Sequence, residues 1–432
     1  MCTPLRKHHS NHQPKFTPAT MNLIQPFTAL RPAPGRANDV VAPPYDVLST
    51  TEARERVNGR PFSFLHISKP EIDLPADTNP YAPEVYAKGA ENLRKLIDSG
   101  VLMRDPAACY YAYRIVMGNH SQTGLVAAAS VADYDTNRIR KHEFTRPDKE
   151  DDRVRQIDAL DAQTGPVLLA YPTAPEVDAM LAAASAGTPD SDAELDGVRH
   201  TLWVIRDAAI QTRITAAFNA MHALYIADGH HRSASASRIA ATRRAANPAH
   251  TGNEPYNFFL SVIFPAHEMA IMDYNRVITD LNSLTAEAFL AKIAESFTVE
   301  PAAAAVKPER TGAFGLYLAN KWYRLTIRAD LIPTDPVGRL DVSLLQNNLI
   351  APVLGITDPR RDKRIDFVGG IRGLGELEKR VNSGEMALAL AFHPTSMSDL
   401  MAVADANEVM PPKSTWFEPK LADGLASHVL SK

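Results

Sequence analysis

The segment 223-ALYIADGHHRSASASRIAATRRAA-246 constrains the fold more than any other part of the chain. Leu224 to Ala227 are apolar and sufficient for one short buried strand, Gly229 permits a sharp turn, and the Ala-rich run from Ser233 has the composition of a helix that stops before Pro248. A strand that passes directly into a helix places Asp228, Gly229, His230, His231 and Arg232 at the helix N-terminus. Free N–H groups and the positive end of the helix dipole attract an anion there. Gly229 lets that anion approach the main chain, Arg232 can grip two oxygens at once, and the two histidines add donors. Asp228 is the odd member, because a carboxylate repels a phosphate unless a divalent cation lies between them or Asp228 orients a neighbouring histidine. The bland alternative is an N-capping aspartate with two surface histidines; five such residues together favour the anion site. A metal hydrolase, with Asp228, His230 and His231 as ligands and His142 or Glu143 completing the shell, is a further alternative. Adjacent histidines weigh against it, since neighbours in extended chain point to opposite sides.

Composition narrows the class. The 432 residues carry 46 basic and 50 acidic side chains, a net charge of −4, and 45% hydrophobic residues. That supports an ordinary buried core, excludes disordered and collagen-like chains, and lacks the broad basic footprint of a nucleic-acid coat. No stable nucleic-acid partner is expected, and 360-RRDKR-364 is too short a basic run to change this. Two cysteines, Cys2 and Cys109, imply no disulfide framework and fit a reducing cytoplasm. Apolar runs such as 257-NFFLSVIFPA-266 fall short of the about 20 residues that cross a bilayer, so no membrane partner is expected. Residues 1–20 read as a disordered tail whose His8, His9 and His12 lack carboxylate or cysteine partners for a metal, with Met21 a candidate start.

The remaining elements read as a mixed α/β, or α+β, chain. The pattern predicts a helix over 89–100, a hairpin of 109–118 with 124–135 turning at 119–123, and a charged loop and helix over 138–156. A buried strand at 166–173, a helix at 175–187, a strand at 200–207 and a helix at 208–221 follow. Beyond Pro265 the expected units are a helix at 284–295, a hairpin over 313–329 turning at Ala319-Asn320, and a helix at 341–355. A strand at 387–394, a helix at 396–407 and a loop at 411–420 complete the set. The expected division is a tail, 1–20, a catalytic core, 21–275, and a C-terminal α/β lobe packed on the core, 276–432.

An anion cradle needs a group that activates an acceptor. His142-Glu143 follows a strand-like run, and Glu143 could take a hydroxyl proton as general base. Pro43-Pro44 stiffens 40-VVAPPYDVLST-50 and presents Tyr45 and Asp46 after an apolar strand. Lys413 and Lys420 could reach a phosphate, though solvated lysines are the commoner case. Trp203, Trp322 and Trp416 read as core or interface residues, and the glycines of 369-GGIRGLG-375 as a weak imitation of a dinucleotide loop.

ADGHHR at 227–232, VAPPYDVL at 41–48, HEFT followed by KEDDR within 142–153, and MPPKSTWFEPK at 410–420 together resemble the family called domain of unknown function 1015, across nearly everything from Met21 onward. The DGHHR element is also similar to that of free serine kinases of the ParB/sulfiredoxin-like superfamily. The resemblance implies a ParB/sulfiredoxin-like catalytic core with added strands and helices, and a small-molecule kinase using ATP or ADP with Mg²⁺ to phosphorylate free L-serine. Asp228 through Arg232 would hold nucleotide phosphates near a metal, with Glu143 and Asp228 catalytic and Gly229, His230, His231 and Arg232 binding the nucleotide. A nucleotide-gated regulatory protein of the ParB kind is the alternative from another class, and the candidate assembly is a homodimer. Where the family tends to a bulky residue after DGHHR, this chain has Ser233-Ala234-Ser235-Ala236; where it tends to a shorter acidic-Arg pair, this chain has Asp151-Asp152-Arg153.

Overall fold

Phe258–Pro265 is buried at every residue, which explains why its sequence does not alternate and is apolar apart from Ser261, whose hydroxyl donates to the Ala127 carbonyl. In the computed structural model, which describes residues 22–431, this strand lies at the centre of a nine-stranded sheet. The strand order is Ile139–Arg140, Leu224–Asp228, Val167–Tyr171, Phe258–Pro265, His120–Ser130, Tyr110–Met117, Val198–Ile205, Ser191–Leu195, with Ile24–Gln25 also paired to His120–Ser130. Two pairs are parallel, Leu224–Asp228 with Ile139–Arg140 and Phe258–Pro265 with Val167–Tyr171; the others are antiparallel. One face, through Phe259 and Ile263, packs with Ile214, Phe218, Ile239 and Leu181 of the covering helices. The opposite face, through Phe258, Leu260, Val262 and Phe264, shares a hydrophobic cluster with Phe314, Leu316 and Leu390.

Those last residues belong to a six-stranded antiparallel sheet, ordered Phe297–Ala302, Lys321–Ile327, Ala313–Leu318, Leu388–Ala391, Tyr274–Ile278, Ile365–Gly369. Its other face, through Tyr317, Trp322 and Ala389, is covered by Leu377 and Val381 of the Gly373–Asn382 helix. The chain is a mixed α+β fold, as its element order predicts. Near the C-terminus, Ser427–Val429 pairs with both Ala29–Pro32 and Ala162–Gln163, and the Asp423 backbone bridges Ala42. This return brings residues 410–423 back against the early Pro-Pro-Tyr-Asp segment. No helix among the described residues is long and apolar enough to cross a membrane. The expectations for Cys2, for the histidines of the first twenty residues and for Met21 lie outside the described residues.

Local chemistry accounts for the departures from the sequence pattern. Residues 131–135 form a helix in place of strand, because the Ser130 hydroxyl accepts the Asp133 N–H at 3.1 Å and caps a helical turn. The hairpin turns at Gly118-Asn119 alone, a tighter connection than expected. Ser191–Leu195 is an additional strand whose turn, Asp196-Gly197, has φ of 53° and 77°, the left-handed pair that an Asp-Gly hairpin supplies. The helix at 341–355 contains a π-helical turn at Gln346–Ile350 ahead of Pro352, which has no N–H to donate into the preceding turn. A short helix, Ala37–Val40, stands where an apolar strand was expected before Pro43-Pro44.

Candidate functional site

Leu224–Asp228 runs antiparallel to Val167–Tyr171, and its register shifts between Ile226 and Asp228. The irregularity ends the ladder and delivers Gly229 at φ 98°, ψ 28°, from which the 17-residue helix His230–Ala246 starts. Gly229 is the N-cap and no side chain caps the helix, so Asp228 is not the capping aspartate. The first N–H groups of the helix are left for another acceptor.

Arg232 is folded under the turn. Its guanidinium donates to the Pro166 carbonyl and lies 3.5 Å from the Asp228 carboxylate. Asp228 also has the Lys420 ammonium at 3.9 Å. Burial pushes the Asp228 carboxyl up, but Arg232 and Lys420 outweigh it and hold it below the usual carboxylate range. The cluster is therefore one carboxylate between two cations, a net positive centre at a helix N-terminus.

His230 is almost wholly buried, and its Nε2 accepts the His142 backbone N–H at 3.4 Å. Burial, followed by the charges of His142, His231 and Arg232, pushes its pKa well below the ordinary value. A neutral ring whose Nε2 is an acceptor carries its proton on Nδ1, and Nδ1 faces Glu143 Oε2 at 3.6 Å. Burial and the nearby Asp228 raise the Glu143 pKa, while Lys413 moderates the rise. His142 packs edge-on against His230 with ring centroids 4.5 Å apart, and burial pushes its pKa down to about 4. The His142-Glu143 pair is thus brought to the DGHHR turn by the short strand Ile139–Arg140, which lies parallel to Leu224–Asp228.

His231 points elsewhere. Its Nε2 accepts the Arg146 N–H at 3.0 Å and ties the turn to the start of the Pro147–Leu160 helix. Asp228, His230 and His231 do not converge as one ligand set, and no group of three such side chains able to hold a metal occurs among the described residues. That leaves the hydrolase alternative without its ligand shell.

All four motif segments meet at one cavity of about 1030 Å³, lined by Tyr45 and Asp46, by Glu143, by the turn at 228–232 and by Lys413, Trp416 and Lys420. Tyr45 and Asp46 sit in a single 3-10 turn after Pro44, with the Arg153 guanidinium 3.9 Å above the Tyr45 ring. Trp203 and Trp322 are core residues, whereas Trp416 is part of the cavity wall. Nothing in the local sequence points to Asp423, a buried acid behind Arg232 whose pKa burial pushes up to about 8 against the pull of Arg232. Only the return of the C-terminus places it there.

A family model described as "Protein of unknown function (DUF1015)" matches residues 24–343. No curated protein matches the chain. Among solved structures, a free serine kinase in complex with AMP is similar at 12% identity over 68% of this chain and 86% of that one, with a TM-score of 0.32. A conserved hypothetical protein from Pyrococcus furiosus is similar at 13% identity over 70% and 94%, TM-score 0.32. SbnI from Staphylococcus aureus is similar at 10% identity over 68% and 84%, TM-score 0.34.

Proposed function

Because the chain belongs to the DUF1015 family, whose description names no activity, we propose its function from the chemistry of its own cavity: a phosphotransferase that moves a phosphoryl group from ATP or ADP to the hydroxyl of a small acceptor. Free L-serine is the acceptor implied by the motif resemblance. The observation that carries the proposal is the turn itself, with an uncapped helix N-terminus, Gly229 in the left-handed region and an Arg232 side chain about one-tenth exposed, opening onto the same cavity as Glu143. Donor phosphates would take the free N–H groups and the guanidinium. The acceptor oxygen attacks the terminal phosphorus, the bond to the bridging oxygen breaks, and the acceptor proton passes to Glu143. A positioned general base is worth about 10²–10⁴ in rate, and the raised pKa of Glu143 makes it a better base. The Nδ1–H of neutral His230 faces the Glu143 carboxylate and orients it. Asp228, part-exposed at the cavity, is a suitable single carboxylate for a Mg²⁺ that arrives with the phosphates, and the ion would supply charge neutralisation.

Calorimetry with ADP and turnover assays on two variants test the assignment. Arg232→Lys keeps a charge but loses the fork, and is expected to weaken ADP binding about 10- to 100-fold, the loss of one charge-assisted bond. Glu143→Gln is expected to bind ADP normally and to lose at least about 10²-fold in turnover. Unchanged ADP affinity in Arg232→Lys would remove the cradle, and normal turnover in Glu143→Gln would remove the base.

A further inference from the structure

The cavity has a second wall that the phosphotransfer reading does not use. It is built from the C-terminal sheet and the loop at 410–420. Arg372 and Lys413 line it, and neither has an ion-pair partner among the described residues, unlike Lys420, which is tied to Asp228.

Three features make this wall a fixed structure. Arg276, almost fully buried, donates to the carbonyls of Tyr274 and Lys413 and lies 4.7 Å from the Phe367 ring centroid and 4.9 Å from that of Phe392, with no carboxylate engaged. It locks the Lys413 backbone, which adopts φ 60°, and adds an uncompensated positive charge behind the wall. On the other side, Trp416 packs so closely on Gly369 that a Cβ there would lie 3.1 Å from the indole, and a Cβ at Gly370 would collide with the Asp273 carboxylate. The Gly369-Gly370 pair therefore serves to seat the Arg372 turn against Trp416. Lys413 also acts electrostatically on Glu143, so its charge lies beside the proposed base.

Arg372 and Lys413, exposed on this wall beside the base, hold no ion pair among the described residues, while Arg232 and Lys420 are engaged at the DGHHR turn, so these two cations remain available to an anion that enters the cavity. We propose that Arg372 and Lys413 bind an acidic group of the acceptor, so that the acceptor is a hydroxy compound carrying its own carboxylate or phosphate. Its hydroxyl then lies at Glu143 while its anion lies at the C-terminal wall, and the donor phosphates keep the turn at 228–232. The class includes free serine and excludes neutral polyols. This assignment rests on the phosphotransfer reading of the same cavity.

Calorimetric titrations of the ADP-saturated protein with L-serine, D-glycerate, glycerol 3-phosphate and glycerol separate the cases. At least one acidic probe is expected to bind and glycerol is not; which acidic probe binds distinguishes carboxylate from phosphate. Arg372→Ala and Lys413→Ala are each expected to weaken that probe about tenfold or more and to leave ADP affinity within about twofold, with thermal melts confirming intact folding. Glycerol binding as well as the acidic probes, no acidic probe binding, or both variants weakening ADP in place of the probe would overturn the assignment while leaving the phosphotransfer reading intact. Failure of ADP to bind the wild-type protein would instead remove that reading, and this one with it.

Discussion

Acidification from pH 7 to about 5 is expected to destabilise the protein, by a few kcal/mol, with net proton uptake by histidines and above the pH at which most carboxylates titrate. His142, His200 and His428 are buried, and burial pushes the pKa of each down to about 4; His230 is depressed further. In the unfolded chain each would protonate near its ordinary value, about 6.5. Between those limits the unfolded state binds more protons than the folded state, so stability falls as pH drops, by about 1.4 kcal/mol per pH unit for each fully differing group. Two acids with large shifts act in the opposite sense, with Glu143, also raised, adding to them as His231, also lowered, adds to the histidines. Burial raises Asp341 to about 7 and Asp423 to about 8, so both are protonated when folded and ionised when unfolded at pH 6. Their contribution is fully present below the carboxylate range and is lost as pH rises toward those values. Four histidines against two acids leave stability rising with pH through 5 and 6 and a maximum at about pH 6.5–7. Melting temperatures from pH 4.5 to 8.5 check the shape. Asp423→Asn removes one alkaline loss, so the gap in Tm between it and the wild type should shift steadily in favour of the variant from pH 5 to 8. A pH-independent gap would mean that Asp423 is ionised in the folded protein.

Local order carried most of what was legible in the sequence. The strand-turn-helix at 223–246 and the hairpin turning at Ala319-Asn320, whose φ values are 49° and 61°, depend on neighbours in the chain, and both formed where the pattern placed them. Asp196-Gly197 was equally readable as a hairpin turn, and the strand it closes, Ser191–Leu195, could have been found from it. Long-range placement was not readable. No local signal announces that Asp423 will lie behind Arg232, or that the glycines at 369–370 are needed to seat Trp416 and clear Asp273, because the first depends on how the C-terminal segment returns across the sheet and the second on the pairing of Ile365–Gly369 with Tyr274–Ile278 beneath Trp416. The two DGHHR histidines also differ in a way their adjacency hides: successive positions on a helix point about 100° apart, so His230 faces Glu143 while His231 reaches Arg146.

Gly229→Ala is expected to weaken nucleotide binding at least about 10-fold while leaving the helix that follows it folded. At φ 98° an alanine is strained wherever its side chain goes, at a cost of about 1–3 kcal/mol. Space is also lacking. A Cβ would stand 3.0 Å from Arg232 Nε, 3.1 Å from its Cζ and 3.3 Å from the Val167 Cα. Val167 is backbone of a buried strand paired on both sides and cannot retreat, so the guanidinium is the group that must move. It would have to shift by a few tenths of an ångström against the Pro166 carbonyl and Asp228, the contacts that hold the fork in place. The helix keeps its own hydrogen bonds and its packing through Ile239 and Ala240, so the far-ultraviolet circular dichroism should be unchanged and the Tm lower by only a few degrees. ADP affinity should fall at least as far as in Arg232→Lys, since the variant displaces the fork and also narrows the approach to the helix N–H groups. Wild-type ADP affinity in a folded Gly229→Ala protein would show that nucleotide phosphates do not approach this turn, whatever Arg232 does.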